Sequence, residues 1–180
     1  DTNGDGVLQY VILQGNVAQQ NAIYRTNAIH DLMDQWNEDG TMPNGQLDIQ
    51  DGNWTSEQGR NVMDTWNVRF GDQIEAVLCN NDTMALGVVE AVKSSGKDIL
   101  VVGVDGIGEA YDSIRRGELD ATIDSFPFYK AQIAGEVMLR SLGGQEIPRV
   151  LWTPQALIDS ENVDKPAEKI IGWTDPIYAK

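Results

Sequence analysis

The chain has 180 residues, and its 28 Asp and Glu outnumber 13 Lys and Arg, giving a formal charge of −15. Such a balance repels phosphate backbones and speaks against nucleic-acid binding. A hydrophobic share of 41 % is enough for a core. No apolar run reaches the roughly 18 residues that a membrane span needs, and no basic stretch leading into an apolar one marks a signal peptide. The length suits one ordinary domain, or one lobe of a larger protein with pieces attached.

Short apolar runs alternate with amphipathic stretches. Val7–Leu13 reads as a buried strand, followed by a helix from about Asn21 to Asn37 with Ile29, Leu32, Met33 and Trp36 on one face. Gln46–Gln50 is a second strand. Thr55 or Ser56 caps the next helix, with Val62, Met63, Trp66 and Phe70 inward and Gly71 at its end. Ile74–Cys79 is a third strand, and the helix after it, capped by Asp82, buries Ala85, Val88, Val89 and Val92. Ile99–Val104 is a fourth strand, followed by a helix from Gly108 to Arg116. Leu119–Ile123 is a fifth, and Pro127 opens a helix to Leu142 with glycines past its end. Beyond Gly143 come a short run, Val150–Trp152, and a proline-punctuated tail that reads as a return strand and surface wrap.

Strands alternating with helices at this spacing mean βαβ units, hence an α/β fold with a doubly wound parallel sheet covered on both faces. Ligands of such sheets bind outside the carboxyl ends of the strands. Those ends carry Gly15–Asn16, Asp51–Trp54, Asn80–Asp82, Asp105–Gly106 and Asp124–Ser125, side chains suited to hydroxyl groups, and no glycine-rich phosphate loop. Trp54 lies outside the helical stripes and reads as a binding residue, whereas Trp36 and Trp66 sit on stripes and read as core.

The first nine residues, Asp1-Thr2-Asn3-Gly4-Asp5-Gly6-Val7-Leu8-Gln9, match the opening of an EF-hand calcium loop. Oxygen-bearing side chains stand at alternate positions, with a glycine at the sharp turn and a backbone carbonyl at Val7. The position of the closing glutamate is Ile12, and a strand follows in place of a helix. By spacing alone the loop is either a degenerate acidic turn or a cation site completed from elsewhere.

A calcium loop running into an apolar strand, then a strand ending in Asn80-Asn81-Asp82 and one ending in Gly103-Val104-Asp105, resembles the periplasmic glucose/galactose-binding proteins. These are sugar receptors of ABC transporters within the type 1 periplasmic-binding-protein superfamily. The resemblance covers nearly the whole chain. It implies a structural calcium ion held by Asp1, Asn3, Asp5, the Val7 carbonyl, Gln9 and a bidentate Glu75. It implies sugar contacts from Gln19, Asn21, Arg25, Trp54, Asn81, Asp105 and Ser125. Arg25, Trp54, Asn81 and Asp105 match the family in type. Gln19 stands for its histidine, Asn21 for its aspartate and Ser125 for its asparagine, so the site suits a pyranose without naming it.

The resemblance further implies that residues 1–124 form the calcium-bearing sugar-binding lobe. Residues 127–152 would belong to a second lobe, most of which lies outside this chain, and 156–180 would be a tail returning to the first lobe. The expected function is that of an extracytoplasmic solute-binding protein, periplasmic or lipid-tethered. It would close two lobes on a glucose- or galactose-like monosaccharide and deliver it to an ABC permease, with a chemoreceptor as a further partner.

Catalysis has little support. The only histidine, His30, lies inside a helix, no serine shows a nucleophile elbow, and the lone Cys79 sits in an apolar run. The aspartates at four strand ends keep a sugar or nucleoside hydrolase as the enzyme-class alternative. A sugar-sensing domain of a transcription regulator or chemosensor is another. The calcium loop argues against a regulator, since extracellular calcium modules bind at roughly 10⁻⁴–10⁻³ M and act as structural staples.

Overall fold

The structure, a computed structural model, describes residues 3–170. Six strands form one sheet: β1 (Leu8–Gln14), β2 (Asn44–Asp51), β3 (Ala76–Cys79), β4 (Leu100–Asp105), β5 (Ala121–Asp124) and β6 (Ala156–Asp159). Their order is β2-β1-β3-β4-β5-β6, and all neighbours are parallel except β6, which runs antiparallel to β5. The chain steps outward from β1 to β2 and then returns past β1 to β3. The strand order therefore reverses between β1 and β3, where open α/β sheets bind their ligands.

Both faces of the sheet are buried, as the apolar strands require. Tyr10, Ile12 and Ala76 face one way and pack with Met33 and the partly buried Ile29 and Trp36 of α1 (Gln20–Glu38). Val11, Leu13, Val77, Cys79 and Val101 face the other way. They pack beneath α2 (Ser56–Phe70), α3 (Asp82–Ser95) and α4 (Gly108–Arg115). This two-sided alternation is the period of a strand made visible. Trp66 is buried in the larger core and donates its indole N–H to Asp48 Oδ2 at 2.9 Å.

Helices α2 and α3 lie unusually close. A Cβ at Gly59 would collide with the Met84 carbonyl, and one at Gly87 with the Ser56 carbonyl, so the absence of a side chain lets the two backbones meet. Gly96 ends α3 in the left-handed conformation (φ +69°) that favours glycine.

Several details differ from the sequence expectation. Leu32, expected inward, is exposed, because Met33 and Trp36 already fill the contact between α1 and the sheet. The cap of α3 is Asn81, whose Oδ1 accepts from Met84 N at 2.9 Å, and not Asp82, which is the first helical residue. The apolar run Val150–Trp152 forms no strand, and Val150 and Trp152 are largely exposed. The return strand expected in the tail is β6, whose fully buried Ile158 occupies the edge of β5. Before it, α5 (Pro127–Leu142) spans the expected residues but buries only Ile133. A short helix, α6 (Ala167–Ile170), closes the described chain. Asp1, Thr2 and residues 171–180 lie outside the described residues.

Candidate binding site at the switch point

The site is built from β-strand ends. After β1, Gly15 donates its N–H to Asn80 Oδ1 at 3.2 Å, which joins the β1 and β3 ends across the switch point. After β2, Asn53 and Trp54 take left-handed conformations (φ +45° and +64°). Left-handed backbone is costly for residues with a side chain and persists where surroundings over-determine it. Here Asn53 N–H donates to the Gly15 carbonyl at 3.0 Å and Gly52 N–H to the Gln14 carbonyl at 2.8 Å. The resulting turn lays the Trp54 indole over Gly15, where any Cβ would collide with the ring.

Three further groups fix this corner. Gln19, just before α1, accepts the Trp54 indole N–H at 2.7 Å. Arg25, on α1, places its guanidinium 5.9 Å from the Trp54 ring centroid, within cation–π range. The same guanidinium donates from Nη1 to the Asn80 carbonyl at 2.5 Å and from Nη2 to Asp105 Oδ1 at 2.7 Å. Both partners of the ion pair keep about a third of their side chains exposed, 31 % for Arg25 and 36 % for Asp105. Their charges cancel while donors and acceptors remain open to solvent. A guanidinium carries five N–H groups and a carboxylate about four lone-pair sites, more than this pair consumes.

Thus Gln19, Arg25, Trp54 and Asp105, singled out from sequence, converge on one spot. Asn81 is next to it but nearly buried, with its Oδ1 committed to the cap of α3. Asn21 is exposed on the first turn of α1 and Ser125 is half-buried after β5; no hydrogen bond among the described residues joins either to the others. Asn80, just past the end of β3, supplies the carbonyl that holds Arg25. A main-chain contact of this kind leaves no mark on residue type.

Around this corner buried polar groups are paired, Asn80 Nδ2 excepted. Asp82 is fully buried. Desolvation pushes its carboxyl up, against hydrogen bonds from Thr122, Ile107 and Gly106 that pull it down. Asp124 Oδ2 accepts from the Tyr111 hydroxyl at 2.8 Å; burial, then this neighbour, pushes the Tyr111 phenol up. Burial likewise pushes the Cys79 thiol up, away from the reactive thiolate.

The acidic loop lies at the opposite pole of the sheet, before β1. Glu75, just ahead of β3 and only 2 % exposed, accepts from Asn3 N on Oε1 at 3.0 Å and from Gln9 N on Oε2 at 2.9 Å. Within the loop Gln9 Nε2 donates to Asp5 Oδ2 at 2.8 Å, and Asn3 Nδ2 to Gln9 Oε1 at 3.2 Å. The Gln9 side chain and the Val7 N–H hold the Asp5 carboxyl below the usual range. Glycines with positive φ, Gly4 and Gly6, let the turn close. Asn3, Asp5, Gln9 and the distant Glu75 thus bring side-chain oxygens together, a donor type that suits a hard cation. Among the described residues no cluster of three or more His, Cys, Asp and Glu suited to a metal occurs; Asp1 is not among them.

Residues 2–146 match the periplasmic binding protein domain family. The chain is 36 % identical over 124 residues to the D-galactose/methyl-galactoside binding periplasmic protein of Haemophilus influenzae, covering 68 % of this chain and 36 % of that protein. It is 36 % identical over 108 residues to the ribose import binding protein of Bacillus subtilis, covering 60 % of this chain and 35 % of that one. A crystal structure of an ABC transporter periplasmic solute binding protein from Actinobacillus succinogenes with bound D-allose superposes with a TM-score of 0.79. It is 29 % identical and matches 86 % of this chain and 53 % of its own. The chain thus spans about a third to a half of the relatives it matches. These relatives are binding and import proteins, not enzymes. With a doubly wound lobe, a polar site at its switch point and a match over most of its length, the chain belongs to the periplasmic binding protein domain family.

Proposed function

We propose that the protein to which this chain belongs is an extracytoplasmic receptor that binds a neutral monosaccharide of the glucose/galactose kind and presents it to an ABC permease. The observation that carries this reading is the Arg25 guanidinium held between the Asn80 carbonyl and Asp105 beside the Trp54 ring. A sugar hydroxyl donates and accepts at once, so an arginine–aspartate pair with spare capacity on both sides meets it on both counts. The aromatic face suits the apolar C–H side of a pyranose. Because the pair is already oriented, little side-chain freedom is lost on binding. The charges cancel, which favours an uncharged ligand over a sugar phosphate. The ligands named for the relatives, galactose and methyl galactoside in one and D-allose in another, fall in this chemical class.

Asn81 and Ser125 would add hydroxyl contacts from neighbouring strand ends, while Gln19 orients Trp54 and Asn21 borders the rim. A calcium ion on Asp1, Asn3, Asp5, the Val7 carbonyl, Gln9 and Glu75 would be structural. Its loop is remote from the strand ends that carry the sugar site, and it would tie the start of β1 to the start of β3. Residues 127–152 would pack against a second lobe. Helix α5 exposes Phe128, Met138, Leu139 and Leu142, and Trp152 after it is 86 % exposed, an apolar face of the sort that another part of a protein covers. Lobe closure over the sugar would create the surface a permease recognises.

The test is a thermal-shift panel on the full-length protein with D-galactose, D-glucose, D-allose, D-ribose and myo-inositol, each in calcium and in EDTA. Stabilisation by one sugar, recovered unchanged, is expected. A shift with none of them would remove the sugar reading.

A further inference from the structure

We infer that Asp82 is a positioning residue for the ligand-binding carboxylate of Asp105. The aspartate is fully buried at the first position of α3, and among the described residues no cation forms an ion pair with it. A buried carboxylate without a cation is costly unless donors surround it. Three do. Oδ2 accepts from the backbone N–H groups of Gly106 at 2.8 Å and Ile107 at 3.0 Å, and Oδ1 accepts from the Thr122 hydroxyl at 2.6 Å. Gly103, on β4, makes room, since a Cβ there would collide with Oδ1.

The two bonds to Oδ2 grip the two residues that follow Asp105, and the Thr122 hydroxyl holds the other oxygen. Asp105 itself has φ +124°, a backbone conformation that residues with side chains rarely adopt. Strain of this kind persists only when neighbouring structure holds it. Released from Asp82, the β4–α4 turn could relax to an ordinary φ, which would swing the Asp105 carboxylate away from Arg25. One tripeptide thus serves the site three ways: Asn80 holds Arg25, Asn81 caps α3, and Asp82 sets Asp105 through the main chain. Asn80 Nδ2 is buried without a partner among the described residues, so the α3 start is not shaped for hydrogen bonding in general. The carboxylate of Asp82 is the fully satisfied member.

The inference rests on the sugar-site reading above, and its test separates the two. Asp82→Asn keeps the shape but leaves one acceptor oxygen for three donors. In the full-length protein, affinity for D-galactose and D-allose is measured by calorimetry in wild type, Asp82→Asn, Asp105→Asn and the double variant. The amide proton resonances of Gly106 and Ile107 are followed in parallel. Asp82→Asn is expected to weaken affinity about ten-fold, to add nothing further in the Asp105→Asn background, and to shift both amides. Lowered thermal stability with unchanged affinity would assign Asp82 to the scaffold and overturn the inference. Should Asp82→Asn fail to fold, Thr122→Val takes its place, since it removes the Oδ1 donor and keeps the side-chain shape. The same losses of affinity are then expected, and unchanged affinity would again overturn the inference. If wild type binds neither sugar, the calorimetry is run with whichever ligand of the panel above stabilises it; if none does, the sugar reading falls, and unmoved amide resonances would overturn the clamp independently.

Discussion

The indole of Trp54 lies directly over Gly15, at a separation that leaves no space for a single methyl group. Gly15 has no positive φ, so its backbone would accept alanine and the conflict is steric alone. Gly15→Ala is therefore expected to displace the ring from Gln19 and Arg25. It should weaken sugar binding by about ten-fold, or 1.4 kcal/mol, with a changed tryptophan emission on titration. Unaltered affinity in the alanine variant would show that the ring takes no part in binding.

The buried Glu75 receives two loop N–H groups and faces Asp5 across a turn of oxygen donors. If calcium occupies this loop, the ion stabilises the folded state by mass action. Wild type should melt higher in calcium than in EDTA. Glu75→Gln, which keeps the shape and removes the charge, should lose that difference. Equal stabilisation of wild type and variant by calcium would remove Glu75 from the metal site.

Closeness of α2 and α3 makes a third expectation. Gly87→Ala adds helix propensity of about 1 kcal/mol but drives a methyl group into the Ser56 carbonyl. Overpacking of a tight contact costs about 1–3 kcal/mol, and here the obstacle is main chain, which yields little. A net fall in melting temperature by about 2–6 °C is expected, with sugar affinity per folded molecule preserved. A rise in melting temperature would mean that the helices slide apart freely.

Acid should expose a fourth effect. Glu118 accepts from Lys93 Nζ at 2.6 Å and from Arg116 Nε at 2.8 Å, and these partners, lysine first, hold its carboxyl below the ordinary value. The stability this adds is present above the ordinary carboxylate value of about 4.3. It is lost as pH falls through the lowered folded value. Glu118→Gln should therefore melt about 1–3 °C lower at pH 7, and the two proteins should converge as the solution is acidified. A difference that persists once Glu118 is protonated would trace to packing and not to charge.

Much of the lobe is legible in the sequence. Continuous apolar runs such as Tyr10–Leu13 and helical stripes such as Met63–Trp66 state which elements form, because burial of those side chains is the main favourable term in folding. Their alternation states a parallel sheet, and the rule for strand ends points to Trp54 and Asp105. Spacing also picks out the oxygen donors of the loop, and resemblance suggests Glu75, which the fold sets beside them.

Residue type alone determined the α/β order, the strand-end location of the polar groups and the absence of a nucleophile elbow. The tertiary structure decided what those groups do to one another. That Asn80 serves through its carbonyl, that Asp82 clamps a turn, and that Gly15 is the floor under Trp54 are relations between residues far apart in sequence. They depend on main-chain direction and on close approach, which local patterns do not encode. The same reason separates the apolar run at Val150–Trp152, which forms no strand, from Ala156–Asp159, which does. An apolar run states that burial is needed, and only the sheet shows which edge is free to provide it.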